Sequence, residues 1–288
     1  MPALLRAEQG AMKLTASPVS VPKRANAAAD ADFVVFQDVV VEFGTGGWRV
    51  RALDRVSLNF ARGDFVCVVG PSGCGKTTLL QTLAGFITPT EGTVTIEGGP
   101  FGPPGPDRGV VFQQPALYPW LTVAANASFG PRMRKVAKAE IAETVTHYLK
   151  MVGLWDFRDR YPYELSGGMQ QRLAIVRTLV NHPRLLLMDE PFGALDALTR
   201  EKMQEELHTV WQRTGMTVLF ITHSVEEAVY LGTEVVVMSP RPGRVLERIV
   251  APFAREGGER NSRGIKSSPD FVAMREQVLS LIWGMEQD

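Results

Sequence analysis

Short runs of consecutive apolar residues alternate along the chain with longer stretches whose apolar residues recur at helical spacing. The runs DFVCVVG, RLLLMDE and MTVLFITH are typical of strands that are buried on both faces of a sheet. Between the last two lies LTREKMQEELHTVWQRTG, whose apolar stripe we expect to pack in the core: Met203, Leu207, Val210 and Trp211. The alternation predicts an α/β fold with a mainly parallel sheet.

Two segments depart from this alternation. The first contains FVVFQDVVVEF and VRALDRVSLNF, which are rich in Val and Phe and predict an antiparallel β subdomain at the N-terminal end. The second covers about residues 114–181 and is helical in character, with Ile141, Val145 and Leu149 at helical spacing before Gly153. We interpret the second segment as a helical insertion subdomain.

The two ends of the chain differ in composition from the part between them. Residues 1–31 are rich in Ala, with scattered Pro and Ser and no sustained period, and we expect a mobile arm there. Residues 32–250 hold the α/β pattern. Residues 251–288 are predicted to form a polar linker and a C-terminal amphipathic helix, whose apolar positions are Phe271, Val278, Leu281 and Ile282.

Composition and charge exclude several classes of protein. The 31 Lys and Arg balance the 31 Asp and Glu, so there is no global basic field to indicate nucleic acid as a partner. Two cysteines make neither a disulfide framework nor a metal cluster, and they fit a reducing compartment. No run approaches the roughly 20 apolar residues that a bilayer-spanning helix needs. The start of the sequence lacks the apolar core of a secretory signal. If the protein works at a membrane, we expect another chain to cross it.

A phosphate-binding loop is the strongest chemical signal in the sequence. The stretch GPSGCGKTT matches G-x-x-x-x-G-K-[ST] and stands between a predicted strand and a predicted helix, as this motif requires. Its glycines let backbone N–H groups point at phosphate oxygens, its Lys reaches the β- and γ-phosphates, and its first Thr offers a hydroxyl to Mg²⁺. The predicted loop consists of Gly70, Pro71, Ser72, Gly73, Cys74, Gly75, Lys76, Thr77 and Thr78.

A pair of carboxylates supplies the second half of a nucleotide site. Asp189 and Glu190 follow the apolar strand RLLLMDE. Ligands of open α/β sheets bind at the carboxyl ends of strands, so Asp189 is placed to hold Mg²⁺ and Glu190 to face an attacking water. Together with the phosphate loop, this pair predicts a nucleoside triphosphate and Mg²⁺ as ligands.

Four further stretches accompany these motifs in a characteristic order: FQQP, LSGGMQQR, PFGALD and ITH. With them, residues 33 to about 250 resemble the ATP-binding subunit of ABC transporters. The resemblance implies a P-loop NTPase core of the ABC type, with ATP and Mg²⁺ as cofactors. It also implies roles for Asp189 as the Walker B carboxylate and Glu190 as the catalytic base.

The resemblance implies three further site residues. Gln113 would sense Mg²⁺ and the attacking water, Asp196 would belong to a loop that crosses between subunits, and His223 would contact the γ-phosphate. Gln114 is the alternative to Gln113, which we favour because it directly follows Phe112. His223 alone of the four histidines directly follows an apolar strand; His147 and His208 lie in charged helical runs where we expect solvation, and His182 precedes Pro183 in a turn.

Two positions stay open at this stage. The family stacks adenine on an aromatic ring ahead of the phosphate loop; Phe43 holds the matching position, Trp48 is a rival, and Phe43 could equally be a core residue. Cys74 stands at a helix N-terminus, where a thiol pKa can fall, although we favour a simple packing role.

The stretch LSGGMQQR prepares a second place for an anion. Ser166, Gly167 and Gly168 open a helix that we expect to run to about Val180, and they offer a hydroxyl, free amides and a helix dipole. The resemblance implies that this loop completes the ATP site of a second copy of the chain. Two ATP molecules would then be sandwiched between two head-to-tail domains with two-fold symmetry.

Two functions are compatible with these motifs. The first is the ATPase subunit of an importer, bound to two transmembrane permease subunits at the cytoplasmic face of the membrane and serving a solute-binding protein indirectly. The second is a soluble ABC ATPase acting on nucleic acid or ribosomes. One phosphate loop, one signature stretch and no sustained heptads favour transport. A finer similarity to the nitrate, sulfonate and taurine importer branch comes from LYPWLTVAANASFG, DEPFGALDALTREKMQ and SPRPGRV.

Overall fold

The computed structural model describes residues 32–44, 48–100, 102–255 and 262–285. The predicted N-terminal arm lies outside the described residues. Strands near the N-terminus form an antiparallel sheet in the order β2-β1-β4-β5. Its members are β1 (Val34–Phe43), β2 (Val50–Phe60), β4 (Glu91–Ile96) and β5 (Gly99–Pro100). This sheet is the antiparallel β subdomain that the Val- and Phe-rich runs predict.

A second, six-stranded sheet forms the centre of the domain, in the order β10-β9-β3-β8-β7-β6. Five strands pair in parallel, and only β10 runs antiparallel to its neighbour. Its members are β3 (Phe65–Val69), β6 (Arg108–Val111), β7 (Leu185–Asp189), β8 (Thr217–Ile221), β9 (Glu234–Met238) and β10 (Val245–Val250). Every residue of β3, β7, β8 and β9 is buried, as expected for strands covered by other elements on both faces.

The helices begin and end where the sequence offers capping residues. Thr122, Ser166, Asp196, Ser224 and Ser268 each accept a backbone N–H with the side chain at a helix start. Left-handed Gly85 and Gly215 end two helices. The helices are α1 (Lys76–Ala84), α2 (Val123–Met133), α3 (Lys138–Met151), α4 (Gly167–Leu179), α5 (Ala197–Thr214), α6 (Val225–Leu231), α7 (Ser262–Lys266) and α8 (Pro269–Gly284).

Two hydrophobic clusters cover the two faces of the parallel sheet. One contains Phe65 and Cys67 of β3 and reaches the helical segment α2–α4. The other contains Val66 and Val68 of the same strand and reaches α1 and the antiparallel sheet. Alternate residues of one strand thus serve two cores, which confirms the predicted α/β class with its antiparallel subdomain and helical insertion.

The C-terminal helices pack on the same domain. Phe271 and Val278 of α8 are fully buried, and the Phe271 ring lies 5.2 Å from that of Phe253. Across the described ranges, no helix combines the length and the apolar character that a membrane span requires.

One histidine differs from its sequence-based expectation. His208 is buried, and its Nε2 lies 2.8 Å from the Ala254 carbonyl oxygen. The expectation of a solvated side chain was wrong because the chain after β10 returns to cover this side of α5. His147, by contrast, is exposed as expected.

Candidate active site

The phosphate loop joins β3 to α1 and is seated directly on backbone atoms of other segments. Gly70, Gly73 and Gly75 have φ angles of 154°, 74° and 93°, in the region that favours glycine. A Cβ at Gly70 would lie 2.7 Å from the Met238 carbonyl oxygen, and one at Gly75 would lie 2.8 Å from the carbonyl oxygen of Ala52. Only glycine therefore fits these two positions.

The turn between β9 and β10 supports the loop from behind. Gly243 in this turn donates its N–H to the Ala52 carbonyl oxygen over 2.9 Å and accepts from the Asp54 N–H over 3.0 Å. A Cβ at Gly243 would overlap the carbonyl oxygen of Cys74. The sequence motif gives no sign of this contact, because it joins segments that are far apart in the chain.

Lys76 stands at the start of α1 with its ammonium group in the loop. Its Nζ donates to the carbonyl oxygens of Gly70 and Pro71 over 2.8 and 2.9 Å. Cys74 is buried beside it, and burial raises the pKa of the Cys74 thiol. The packing role of Cys74 is thus favoured over a reactive thiolate.

Thr77 and Asp189 meet at the end of β7. The Thr77 hydroxyl donates to Asp189 Oδ2 over 2.9 Å. Burial raises the pKa of the Asp189 carboxyl, and the Glu190 charge acts in the same direction, while the Thr77 hydrogen bond and Lys76 oppose it. A hydroxyl and a buried carboxylate are hard oxygen donors of the kind that Mg²⁺ prefers, so the pair fits the predicted metal role.

The side chains predicted to act in catalysis meet at one carboxylate oxygen of Glu190. The Gln113 amide donates to Glu190 Oε2 over 2.9 Å, and His223 Nδ1 lies 3.4 Å from the same oxygen. The three residues follow the strands β6, β7 and β8, which are adjacent in the sheet. The structure therefore brings together side chains that are widely separated in sequence, and it places Gln113 at this carboxylate.

The backbone of Glu190 has an uncommon conformation. Its φ is +46°, in the left-handed region that residues other than glycine rarely adopt. The Glu190 N–H donates to the Ile221 carbonyl oxygen over 2.9 Å, which ties this turn to the end of β8. The chain thus changes direction between Asp189 and Glu190, and the two carboxylates serve different partners.

The residues of the signature stretch lie in a separate group. Ser166 caps α4, and its hydroxyl oxygen accepts from the Met169 N–H over 3.3 Å. A Cβ at Gly168 would lie 3.2 Å from a Leu195 side-chain carbon, whereas one at Gly167 would meet open space. Within the described ranges, no hydrogen bond joins this group to the phosphate loop.

Asp196 belongs to the same group. Its carboxylate caps α5 by accepting the Thr199 N–H over 3.0 Å, and this hydrogen bonding lowers the pKa of the Asp196 carboxyl. Ser166 and Gly168 therefore lie at the start of α4, and Asp196 lies at the start of α5. Helix starts attract anions through their free N–H groups and dipole.

Phe43 ends β1 opposite Val50 of β2, and Ala52 two residues further along β2 contacts the phosphate loop. The Phe43 side chain is 45% exposed, so the alternative of a core residue is excluded. Trp48 is 89% exposed and stays a rival for adenine stacking.

A glycine-rich loop between a buried strand and a helix, facing a paired Asp and Glu at the end of a parallel strand, defines a nucleoside triphosphatase domain of the P-loop class. The family model described as ABC transporter matches residues 53–193. The chain belongs to the ABC transporter family, because members of that family are similar to it over most of its length.

Two relatives illustrate this similarity. The taurine import ATP-binding protein TauB of Jannaschia sp. (strain CCS1) is 50% identical over 242 residues, which are 84% of this chain and 90% of the relative. An uncharacterized ABC transporter ATP-binding protein of Methanocaldococcus jannaschii is 49% identical over 240 residues, or 83% and 87% of the two chains.

Solved structures agree with the fold. The bacterial ABC transporter cassette MJ0796, described as dimeric, superposes with a TM-score of 0.70 at 32% identity, over 78% of this chain and all of that one. The same cassette in a dimeric post-hydrolysis state bound to ADP and Pi gives a TM-score of 0.69.

Proposed function

We propose that this protein is the ATP-hydrolysing subunit of an ABC importer for taurine or a related sulfonate. The observation that carries the catalytic part is the convergence of Gln113 and His223 on the Glu190 carboxylate, beside the Thr77–Asp189 pair. The identity of about 50% to taurine import ATP-binding proteins, over most of both chains, supports the solute class.

In this proposal, the residues of the site divide phosphate binding, proton transfer and water orientation between them. The glycine-rich loop and Lys76 hold the phosphates of ATP. Glu190 accepts a proton from water as the water oxygen attacks the γ-phosphorus, and the bond from that phosphorus to the bridging oxygen of ADP breaks. Gln113 and His223 orient the water and the γ-phosphate, because both already contact the Glu190 oxygen.

Thr77, Asp189 and Gln113 are the residues that would hold Mg²⁺. The metal would neutralise phosphate charge when bound. The burial that raises the pKa of Asp189 favours a cation partner for its charged form, since a nearby positive charge compensates the lost hydration. Phe43, on the strand beside the loop, is proposed to stack on adenine.

A second copy of the chain would complete the site. Ser166, Gly167 and Gly168 offer N–H groups at a helix start, and Asp196 lies beside them. In a head-to-tail dimer, this group would face the γ-phosphate held by the partner. The dimeric state of the cassettes that this fold resembles supports the arrangement.

Two transmembrane permease subunits are the further partners in this proposal, and a solute-binding protein acts through them. The proposed contact is the segment between Gln113 and α2, where the Trp120 side chain is 69% exposed. The Tyr118 ring, 5.8 Å from Trp120, is itself held by Phe129 and Arg177. An exposed aromatic ring that packs on other aromatic side chains is typical of protein interfaces. The protein would act at the cytoplasmic face of the membrane.

The replacement Glu190→Gln tests the catalytic assignment. It keeps the shape of the site but removes the base, so we expect ATP hydrolysis to fall by roughly 100-fold or more while ATP binding persists. Because ATP is then not consumed, the variant should form an ATP-dependent dimer, measurable by light scattering. Lys76→Ala is the matched control and should lose nucleotide binding. Hydrolysis at the parental rate by Glu190→Gln would refute the assignment.

A separate experiment tests the solute. Deletion of the gene should abolish uptake of taurine or alkanesulfonates, and the Glu190→Gln variant should fail to restore it. Uptake of taurine, alkanesulfonates and nitrate that is unaffected by the deletion would refute the solute class without touching the ATPase assignment.

A further inference from the structure

A buried polar network lies behind the proposed catalytic site, centred on Glu227 of α6. Glu227 is buried, with 6% of the residue exposed. Its Oε2 accepts the Thr222 hydroxyl over 2.6 Å, and its Oε1 accepts the Gln204 amide over 3.2 Å. Thr222 and Gln204 are each 2% exposed. A buried carboxylate is costly unless it is well hydrogen-bonded. The three buried residues supply these hydrogen bonds to one another, so they form one interdependent network.

One arm of this network reaches the loop that carries His223. Thr222 immediately precedes His223, and its hydroxyl oxygen also accepts the Ser224 N–H over 3.0 Å. Ser224 in turn caps α6 by accepting the Glu227 N–H over 3.3 Å. The backbone on both sides of His223 is thereby tied to Glu227.

A second arm reaches the loop that carries Asp196. Arg200 Nε lies 3.8 Å from Glu227 Oε1, a charge contact rather than a hydrogen bond. The same guanidinium donates through Nη2 to the Leu195 carbonyl oxygen over 2.9 Å. One carboxylate therefore links the residues adjoining His223 to the residue adjoining Asp196.

A third arm comes from the C-terminal part of the chain. Lys266 of α7 donates to Gln204 Oε1 over 3.3 Å and pairs with Glu226 Oε1 at 3.0 Å. Its ammonium group also lies 4.9 Å from the centre of the Tyr230 ring. Because Gln204 accepts from Lys266 and donates to Glu227, its amide has one consistent orientation, and the C-terminal segment joins the network.

We propose that Glu227 is a positioning residue for ATP hydrolysis, which holds the His223 loop and the Asp196 loop in fixed relation, with Lys266 as an anchor in the C-terminal segment. The inference rests on the proposed function, because it assigns work to His223 and Asp196. Glu227 acts through these loops and touches no reacting atom. Small displacements of catalytic groups have large effects on rate, which gives such a network its importance.

Kinetics of Glu227→Gln test the proposal. Glutamine has a similar shape but loses the charge that faces Arg200, and its amide cannot accept both hydrogen bonds. We expect kcat to fall by roughly tenfold or more, with KM for ATP changed less than about twofold. Lys266→Met, at the edge of the network, should lower kcat by roughly three- to tenfold. Arg263→Met, on the exposed side of the same helix, is the matched control and should behave as the parent.

A double-mutant cycle separates positioning from a general structural effect. If Glu227 acts through His223, adding Glu227→Gln to His223→Ala should lower kcat much less than it does alone. Effects that multiply in the double variant, or parental kinetics in Glu227→Gln and Lys266→Met, would overturn the inference. Failure of the proposed function is distinguishable, since the parent itself would then lack ATPase activity or would not respond to His223→Ala.

Discussion

Two neighbouring carboxylates are given different properties by their surroundings. Asp189 is buried at the end of β7 and bonded to the Thr77 hydroxyl, and burial raises its pKa. Glu190, one residue on, turns away and meets Gln113 and His223. The proposed metal ligand and the proposed base are thus distinguished by environment and backbone direction, not by distance in sequence.

Removing the Asp189 charge is predicted to stabilise the folded chain. A carboxyl whose pKa is raised by folding opposes folding while it is ionised, and the penalty disappears as pH falls through the raised folded-state pKa. Asp189→Asn should therefore raise the unfolding midpoint by about a few degrees at neutral pH, measured by calorimetry without nucleotide or Mg²⁺, and the difference should shrink at acidic pH.

Asp196→Asn supplies a control of opposite sign. Hydrogen bonds lower the pKa of Asp196, so its charge stabilises the fold at pH values above the unfolded-state pKa, and that contribution is lost as pH falls through the folded-state pKa. Its replacement should slightly lower the midpoint at neutral pH. A midpoint for Asp189→Asn below the parental value at neutral pH would contradict the electrostatic explanation.

Individual residues were predictable from sequence where the signal was local. The phosphate loop is a continuous motif, so all nine of its residues could be named before the structure was known. The position after Phe112 favours Gln113 over Gln114, but that pattern does not show which amide reaches Glu190; in the structure it is the Gln113 amide. His208 was misjudged for a similar reason: the group that buries it, around Ala254, is distant in sequence.

Elements other than the motif give the phosphate loop its shape. The Ala52 carbonyl of β2 and the turn between β9 and β10 contact the backbone of the loop directly. The starts of α4 and α5 were predictable because capping residues act within one turn. The backbone contacts that support the phosphate loop were not predictable, since close backbone packing between distant segments leaves no periodic signal in the sequence.

Gly243→Ala is predicted to damage the loop from outside the motif. The added methyl group would overlap the Cys74 carbonyl oxygen, so the turn or the loop must move. We expect at least a tenfold loss of ATP affinity by equilibrium binding and a stability loss of about 1–3 kcal/mol in denaturant unfolding. Gly102→Ala, at a glycine with open space, is the control. Parental ATP affinity in Gly243→Ala would show that the turn does not support the loop.

At the scale of the molecule, one chain holds two separate groups of candidate site residues. The phosphate loop, Asp189 and Glu190 form one group, and Ser166, Gly168 and Asp196 form another. In the proposed dimer they meet only across a two-fold axis, where each ATP site takes the phosphate-loop group from one copy and the Ser166 group from the other. Binding of ATP would then favour association, because the nucleotide interacts with both copies only when they are paired.

The rate of hydrolysis per chain should consequently depend on protein concentration. On dilution from a dimeric sample to about a twentieth of the dissociation constant of the dimer, the specific ATPase activity should fall at least tenfold, because the population of dimers falls. Activity measured across a dilution series at saturating ATP, with sedimentation at the same concentrations, checks this. Constant specific activity in samples that sediment as monomers would exclude the composite site.

The left-handed backbone at Glu190 has a consequence for how this sequence evolves. Glycine would adopt φ of +46° without strain, whereas a residue with a Cβ is disfavoured there by roughly 1–2 kcal/mol. Selection for thermal resistance alone would therefore tend to replace the glutamate. If Glu190 is the proposed base, the chain gives up some folding free energy at this position and gains a carboxylate at the site of hydrolysis.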